Sequence, residues 1–545
     1  MQPQKDRPWF KFWPRGVPHH IDYPEIPLFR FLEDSAQKYP DNIAFAHENN
    51  KLTYHELNEQ TYRLARGLNR LGIKKGDRVV LLLHNSLEFI VSYYGILKAG
   101  ATVIPLNPLY KTTELTHNFS DSGAKCVITD KECFTVIQRI DDRIRPDIVI
   151  LIDEDGQPET VSLKKILAEY PPEPLKLDYH PADDIAVIVY TGGTTGLPKG
   201  VMLTHSNLVA NAIQNVTWMR WSHEDTIMGV LPLYHSWGAC TSMNSVIYCG
   251  ARAIIMTRFN AEELLKIIET EKATILYGAT SLFIMLLNSP LLGKYDISSL
   301  KYVRVGAMPV SPETKEQWDR KTGITMVLGY GLSEASPQTH NCPSERIRVG
   351  TIGIPLIDTD AKIMDAKTGE LELPPREIGE LVIKGPQVMK GYLNHPEDDK
   401  EMLRNGWLFT GDLAFMDDEG YFHFVDRKKE IIKYKGYTIA PAEIEAIIYE
   451  HPAVKECAVI GKSDTVAGEI PKAFVVLKDG YNATGEEIME FCEKKISSYK
   501  KVREVEFISE IPRSTIGKTL RKSLKEREES TMFSVEKVNR HLKLL

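Results

Sequence analysis

The sequence predicts an α/β protein. Its large N-terminal domain (1–426) holds two parallel-type α/β subdomains to about residue 350 and a β subdomain over about 351–426, and a small mobile α+β domain follows over 427–545. Three observations lead there. Short, continuously apolar runs alternate with stretches of helical spacing over the first 350 residues. After Thr351 the texture changes to short strands separated by turn residues. A charged segment with few large apolar anchors, DRKKEIIKYKG from Asp426, then leads into a mixed tail. Apolar strands that alternate with helices belong in parallel sheets covered on both faces.

The elements follow in order. From Pro27, the residues Leu28, Phe29, Phe31, Leu32, Ala36 and Tyr39 keep helical spacing up to Pro40, and a second helical run covers Tyr54 to Leu71 before Gly72 and Gly76. RVVLLL from Arg78 is an apolar strand, and the pattern recurs at Cys126 (CVIT), Ile148 (IVILI), Ile185 (IAVIVY), Ala251 (ARAIIM), Ala273 (ATILYG) and Tyr302 (YVRVGA). TGELELPP, GELVIKG and DDEGYFHFVD read as short antiparallel strands. In the tail, Pro441 opens a helix through Tyr449, CAVIG and KAFVVLK are strands, Glu486 to Ile496 is helical, and VEFI is a last strand.

Composition narrows the function classes. Of 545 residues, 43% are apolar and 26% charged, ordinary globular usage that can bury a large core. Lys and Arg number 67 against 74 Asp and Glu, a net charge of −7, so no global basic field exists for nucleic acid. Seven scattered cysteines without a C-x-x-C pair read as reduced thiols in a cytoplasm, with no zinc site. The richest apolar region, Val79 to Leu106, is interrupted by His84, Asn85, Ser86, Glu88 and Lys98 and cannot span a bilayer. Near the N-terminus, Trp9, Phe10, Phe12 and Trp13 beside Lys11 and Arg15 could touch a membrane surface peripherally; packing of these rings onto the body is the stronger reading. No pattern specifies an oligomeric state.

The sharpest local signal is YTGGTTGLPKG, Tyr190 to Gly200, between an apolar strand and a helix expected near Ser206. Gly192, Gly193 and Gly196 allow tight turns with inward amides, Thr191, Thr194 and Thr195 add hydroxyls, and Lys199 adds a cation, as a polyphosphate cradle requires. It is not a Walker A loop, because Gly200 follows the lysine where that motif has Ser or Thr. Taken alone, such a turn is as often structural as phosphate-binding.

This segment resembles the phosphate loop of the adenylate-forming superfamily of acyl-CoA synthetases, luciferases and peptide-synthetase adenylation domains, and the resemblance continues in order along nearly the whole chain. GYGLSEASP at Gly329 resembles the adenine and magnesium motif, TGDLAFMDDEGYFHFVDRKKEIIKYKG at Thr410 the ribose and hinge segment, and PRSTIGKTLRK at Pro512 the terminal lysine motif. Gly193 and Ser333 stand where many members have Ser and Thr, small departures that leave the loop chemistry in place. The resemblance implies that ATP lies against Gly306, Ala307, Gly329, Tyr330 and Gly331, with Thr191 and Ser333 supporting phosphate oxygens. It implies that Glu334 holds Mg²⁺, a hard cation suited to a carboxylate oxygen, and that Asp412 accepts from the ribose hydroxyls with Arg427 nearby. Lys518 becomes the catalytic lysine bridging two anions as a carboxylate attacks the α-phosphorus. Lys429, within a hinge at 427–436, rotates the small domain, and Lys433 and Gly436 then flank the coenzyme A channel. Charged Lys428, Lys429 and Glu430 suit a segment solvated in both poses.

For the acid, LPLYHSWGACTSM places Tyr234, His235, Trp237, Gly238 and Met243 at the expected acyl pocket, His235 at its mouth and Gly238 and Ala239 leaving space beside the indole. No nearby Asp could hold an amino group, which argues against an amino acid. The opening from Gly16 resembles fatty acid-CoA ligases more than acetate or aryl ligases. The resemblance thus implies a medium- to long-chain fatty acid, ATP, Mg²⁺ and coenzyme A. An aryl-acid CoA ligase or a fatty acyl-AMP ligase serving a carrier protein is the alternative, and a kinase-type phosphotransferase is the rival from another class.

Overall fold

The computed structural model describes residues 7–153, 159–191, 197–307, 310–428, 430–434, 437–464, 467–496, 498–514 and 519–528. The chain divides into two compact units, one of residues 1–361, 383–409 and 419–421, the other of 362–382, 410–418 and 422–545.

The first unit carries two sheets. In the eight-stranded one the order is Gly391–Tyr392, Lys199–Thr204, Ile185–Thr191, Thr102–Pro105, Arg78–Leu82, Cys126–Thr129, Ile148–Leu151 and Val161–Ser162. It is parallel from Ile185–Thr191 onward and antiparallel at the other edge. The nine-stranded sheet runs Ile354–Pro355, Gln338–Asn341, Met326–Gly331, Tyr302–Gly306, Ile275–Ala279, Thr226–Gly229, Arg252–Ile255, Ile43–His47 and Asn50–Thr53. Its inner strands are parallel and both edges antiparallel. Parallel sheets of buried apolar strands between helices are the architecture the sequence predicts. The elements that matter below are β1 (Ile185–Thr191), β2 (Lys199–Thr204), β3 (Ile275–Ala279), β4 (Tyr302–Gly306), β5 (Met326–Gly331), β6 (Gln338–Asn341) and β7 (Gly391–Tyr392), with helices α1 (His205–Met219), α2 (Ser236–Ala239) and α3 (Pro396–Met402).

The helix expected near Ser206 begins at His205, and a strand that the sequence reading did not name, β2, precedes it and pairs antiparallel with β1, Thr191 opposite Lys199. Gly200 explains the close pairing, since a Cβ there would lie 2.7 Å from the Ile188 side chain. Helix α1 starts where Thr204 caps it, the hydroxyl accepting from Asn207 N at 3.2 Å.

The N-terminal aromatics pack inward. Trp9 is 1% exposed, and Trp13 stacks on His19 and meets Trp218 edge-on. Among the described residues no helix is long and apolar enough to cross a membrane. All seven cysteines are free thiols.

One sheet of the second unit runs Tyr437–Ile439, Ile432–Tyr434, Gly468–Leu477 and Val454–Asp464, with Glu504–Phe507 parallel to Gly468–Leu477. Ile432, Ile439, Ile444, Ile448, Val459, Val475 and Ile488 form its core. Helix Pro441–Tyr449 opens on its proline, and Gly485–Glu493 opens on a Thr484–Glu487 capping box. The expectation of a wholly solvated hinge segment fails at Glu430. That carboxylate is buried and ion-paired with Arg521, which also binds Glu445 at 2.7 Å, because a carboxylate can be buried when a guanidinium meets it.

Candidate active site

The hairpin of β1 and β2 sets Thr191 and Lys199 opposite each other at the base of the Gly/Thr-rich turn. Gly192, Gly193, Thr194, Thr195 and Gly196 of that turn lie outside the described residues, as do Lys429, Gly436 and Lys518. Lys199 Nζ forms an ion pair with Asp398 of α3 and lies 5.6 Å from the ring centroid of Tyr392.

Tyr392 belongs to β7, which pairs with β2 so that Tyr392 stands opposite Val201. Its phenol donates to Glu334 Oε1 at 2.9 Å, and its backbone amide donates to Asp399 Oδ1 at 2.7 Å. Burial first, then the carboxylates of Glu334, Asp398 and Asp399, push this phenol far above its ordinary pKa, so it stays a donor. Glu334 occupies the short 3₁₀ turn after β5, and its backbone carbonyl accepts from Met389 N at 2.8 Å. The lysine and the carboxylate are thus linked through one tyrosine. Sequence reasoning missed Tyr392 and Asp398; the signal was the Gly-Tyr pair in KGYLNHPEDDK, where a Cβ on Gly391 would strike Asp399 at 2.6 Å.

Around this the strand ends carry small residues. Val305 pairs with Leu328, so Gly306 and Gly329 follow as neighbours on β4 and β5. Ala307 adopts a left-handed φ of 67°. A Cβ on Gly331 would lie 2.1 Å from the Pro337 carbonyl oxygen, a close approach that only glycine allows. Tyr330 is half-buried, its ring edge-on to His340 at 5.8 Å. Ser333 is buried with its hydroxyl 3.1 Å from that of Ser236 on α2.

His235 caps α2, its Nδ1 accepting from Trp237 N at 3.2 Å. Trp237 is 7% exposed, lies edge-on to Tyr277 of β3, and covers Gly306 so closely that a Cβ there would be 3.0 Å from the indole. The space expected beside the indole at Gly238 is absent, because a Cβ there would meet the Pro232 carbonyl oxygen at 2.1 Å. Met243 is fully buried in a π-helical turn, Cys240–Asn244, that continues α2. Tyr234 and Ala239 instead line a small apolar cavity with Tyr93, Val187, Val189 and Leu203.

In the second unit Asp412 and Arg427 are opposite each other in an antiparallel strand pair, Arg427 Nε 3.5 Å from Asp412 Oδ1. Asp412 is buried. Lys433 projects from strand Ile432–Tyr434 as an exposed side chain.

By architecture this is an α/β protein of the kind that takes ligands beyond the carboxyl ends of its strands, where glycines, a lysine and a carboxylate gather here. The sequence profile of the AMP-binding enzyme matches residues 32–393, and that of the AMP-binding enzyme C-terminal domain matches residues 443–518. The chain belongs to this AMP-binding, adenylate-forming family. It is 39% identical to a long-chain-fatty-acid–CoA ligase of Bacillus subtilis over 96% of this chain and 99% of that protein. It is 35% identical to 4-coumarate-CoA ligase 1 of Narcissus pseudonarcissus, over 94% of each. Among solved structures, ATP-bound MatB from Rhodopseudomonas palustris superposes with a TM-score of 0.86 at 31% identity, covering 92% of this chain and 98% of that one.

Proposed function

We propose that this protein is an AMP-forming fatty acid-CoA ligase. The fatty acid carboxylate attacks the α-phosphorus of ATP, pyrophosphate leaves, and the acyl-AMP then transfers its acyl group to the thiol of coenzyme A with release of AMP. The observation that carries this reading is the nearly full-length likeness to the Bacillus subtilis ligase. The site geometry is in keeping with it. In this reading Thr191, Lys199 and Ser333 donate to phosphate oxygens, and Gly306, Ala307, Gly329, Tyr330 and Gly331 are the wall for the adenine. Asp412 and Arg427 serve the ribose.

Mg²⁺ fits the donors present. It binds through one or two carboxylates together with substrate phosphates and waters, and among the described residues no group of three or more acidic, His or Cys side chains forms a protein cage. Glu334, held by Tyr392, would be its protein ligand, and the ion would draw charge from the phosphates. His235 sits at the entrance for the acid, and Lys518 stabilises the approach of two anions. Lys429 is the pivot of a domain that begins near residue 427, and Lys433 and Gly436 border the route of the thiol. An aryl acid is the second reading, favoured by the likeness to the Narcissus ligase.

The test is acid-dependent exchange of pyrophosphate into ATP over a panel of alkanoic and aryl acids, with AMP release followed with and without coenzyme A. Exchange driven by fatty acids, with sustained AMP release only when the thiol is present, is the expected result. Exchange with aryl acids alone shifts the substrate to the second reading, and no exchange with any acid removes the proposal.

A further inference from the structure

A cavity of about 190 Å³ opens in the first unit at the amino ends of three neighbouring parallel strands, where Arg78, Thr102 and Ile185 lie. Ile185 begins β1 and Thr191 ends it, so at about 3.3 Å of rise per residue the phosphate turn is roughly 20 Å away. Register fixes which side chains share the wall. Arg78 stands opposite Thr102, Val103 opposite Val187, Ile188 opposite Met202, and Met202 opposite Gly391, two residues before Leu393. Opposed residues of paired strands lie on the same side of a sheet, so Arg78, Thr102, Ile188, Met202 and Leu393 share one face. At about 4.8 Å per strand, this wall runs roughly 14 Å from Arg78 to Met202. It is cationic at one end and apolar at the other.

The charges at the rim leave one cation unmatched. Asp184 Oδ2 pairs with Lys75 Nζ at 2.8 Å, and Asp183 Oδ1 with Lys390 Nζ at 3.1 Å. Arg78 donates from Nη1 to the Ser122 carbonyl and pairs with no carboxylate among the described residues, which leaves most of its five-donor fork for the cavity it lines. His205 closes the cavity beside Asp184, whose carbonyl accepts from His205 N at 3.3 Å. Its Nδ1 accepts from Leu28 N at 3.0 Å and burial holds its pKa down to about 4, so it adds no charge. Gly76 has open space where a Cβ would stand, which keeps the mouth clear. A guanidinium edge pairs bidentately with a carboxylate, and one unmatched positive charge suits a monoanion. Ile188, Met202 and Leu393 offer nothing to a bare ion but can bury a hydrocarbon.

We propose that this cavity binds a carboxylic acid with a short hydrocarbon chain, the carboxylate on Arg78 and the chain along Ile188, Met202 and Leu393. It is a second acid site at the opposite end of β1 from the phosphate turn, and it holds the acid without activating it, since none of the residues assigned to the nucleotide lines it. Its volume keeps the chain short, being below the about 300 to 1,000 Å³ of sites that take drug-sized ligands. The inference stands apart from the acid-activating reading, because Arg78 and its neighbours bind the acid whether or not the active site adenylates it.

The experiment follows the histidine ring signals of the full chain by NMR at constant pH as octanoate, inorganic phosphate or octylammonium is added. His205, assigned by its loss in His205→Asn, reports this cavity, and His235 reports the catalytic side. Octanoate is expected to shift the His205 signal saturably. Phosphate, which lacks the chain, and octylammonium, which has the wrong charge, should leave it in place. Arg78→Met should raise the octanoate Kd read at His205 by at least about tenfold, the loss of a charge-assisted contact, and Arg78→Lys should restore part of it. Should Arg78→Met fail to fold, the three probes on the wild type decide the matter. A His205 signal that octanoate does not move, that phosphate or octylammonium moves as far, or whose Kd is unaltered in a folded Arg78→Met overturns the inference. Octanoate binding at His205 without pyrophosphate exchange for any acid upholds it and removes the activation reading alone.

Discussion

Tyr392→Phe probes the link between the two charged ends of the site. The substitution keeps the ring that packs beside Lys199 and removes only the hydroxyl that donates to Glu334 Oε1 at 2.9 Å. A hydrogen bond to a charged group contributes about 1.5 to 3 kcal/mol, and because Glu334 is only half-buried, water recovers part of it, leaving about 1 to 1.5 kcal/mol. At 1.4 kcal/mol per tenfold, the KM for Mg·ATP should rise about five- to tenfold, since the carboxylate proposed to meet the ion is no longer held in place. The KM for the acid should stay within about twofold, because the residues proposed for the acyl pocket lie on and beside α2 and the π-helical turn, away from this hydrogen bond. Steady-state pyrophosphate release with Mg·ATP and acid varied separately reads both constants, and a melting curve on the same protein reads the fold. An unchanged KM for Mg·ATP, or equal losses for both substrates, would refute the reasoning.

Asp398→Asn frees Lys199 from a partly exposed ion pair worth about 0.2 to 1 kcal/mol, so the KM for ATP should fall by up to about fivefold; a rise would mean that Asp398 orients the lysine instead. His205 is buried and neutral, its Nδ1 accepting from Leu28 N at 3.0 Å, and burial lowers its pKa from 6.5 to about 4. Between those values the unfolded chain takes up a proton that the folded chain refuses. Stability is therefore full above pH 6.5 and falls as pH drops toward 4, by about 3 kcal/mol in all, and His205→Asn, which keeps an acceptor, should flatten the melting temperature across that window. Lys518→Ala should cut acyl-AMP formation by about 10² to 10³ while sparing thioester formation from supplied acyl-AMP; equal loss in both half-reactions counts against its assigned role.

What the sequence determined by itself is what is local or strictly ordered. Alternation of apolar runs with helical spacing sets the layered α/β class, because a strand buried on both faces can show no other pattern. Caps and prolines set helix starts such as Pro441, since the first backbone N–H groups must be satisfied or absent. The order of the glycine, glutamate and lysine motifs was enough to name the family. Tertiary structure alone decided what depends on partners far apart in the chain. Tyr392 reaches Glu334 across 58 residues only because β7 pairs with β2, and a two-residue edge strand leaves almost no periodic trace. Glu430, charged and expected in water, is buried because Arg521 meets it 91 residues later. Gly238, read as open space, is filled by a carbonyl from the preceding loop, which no residue count foretells.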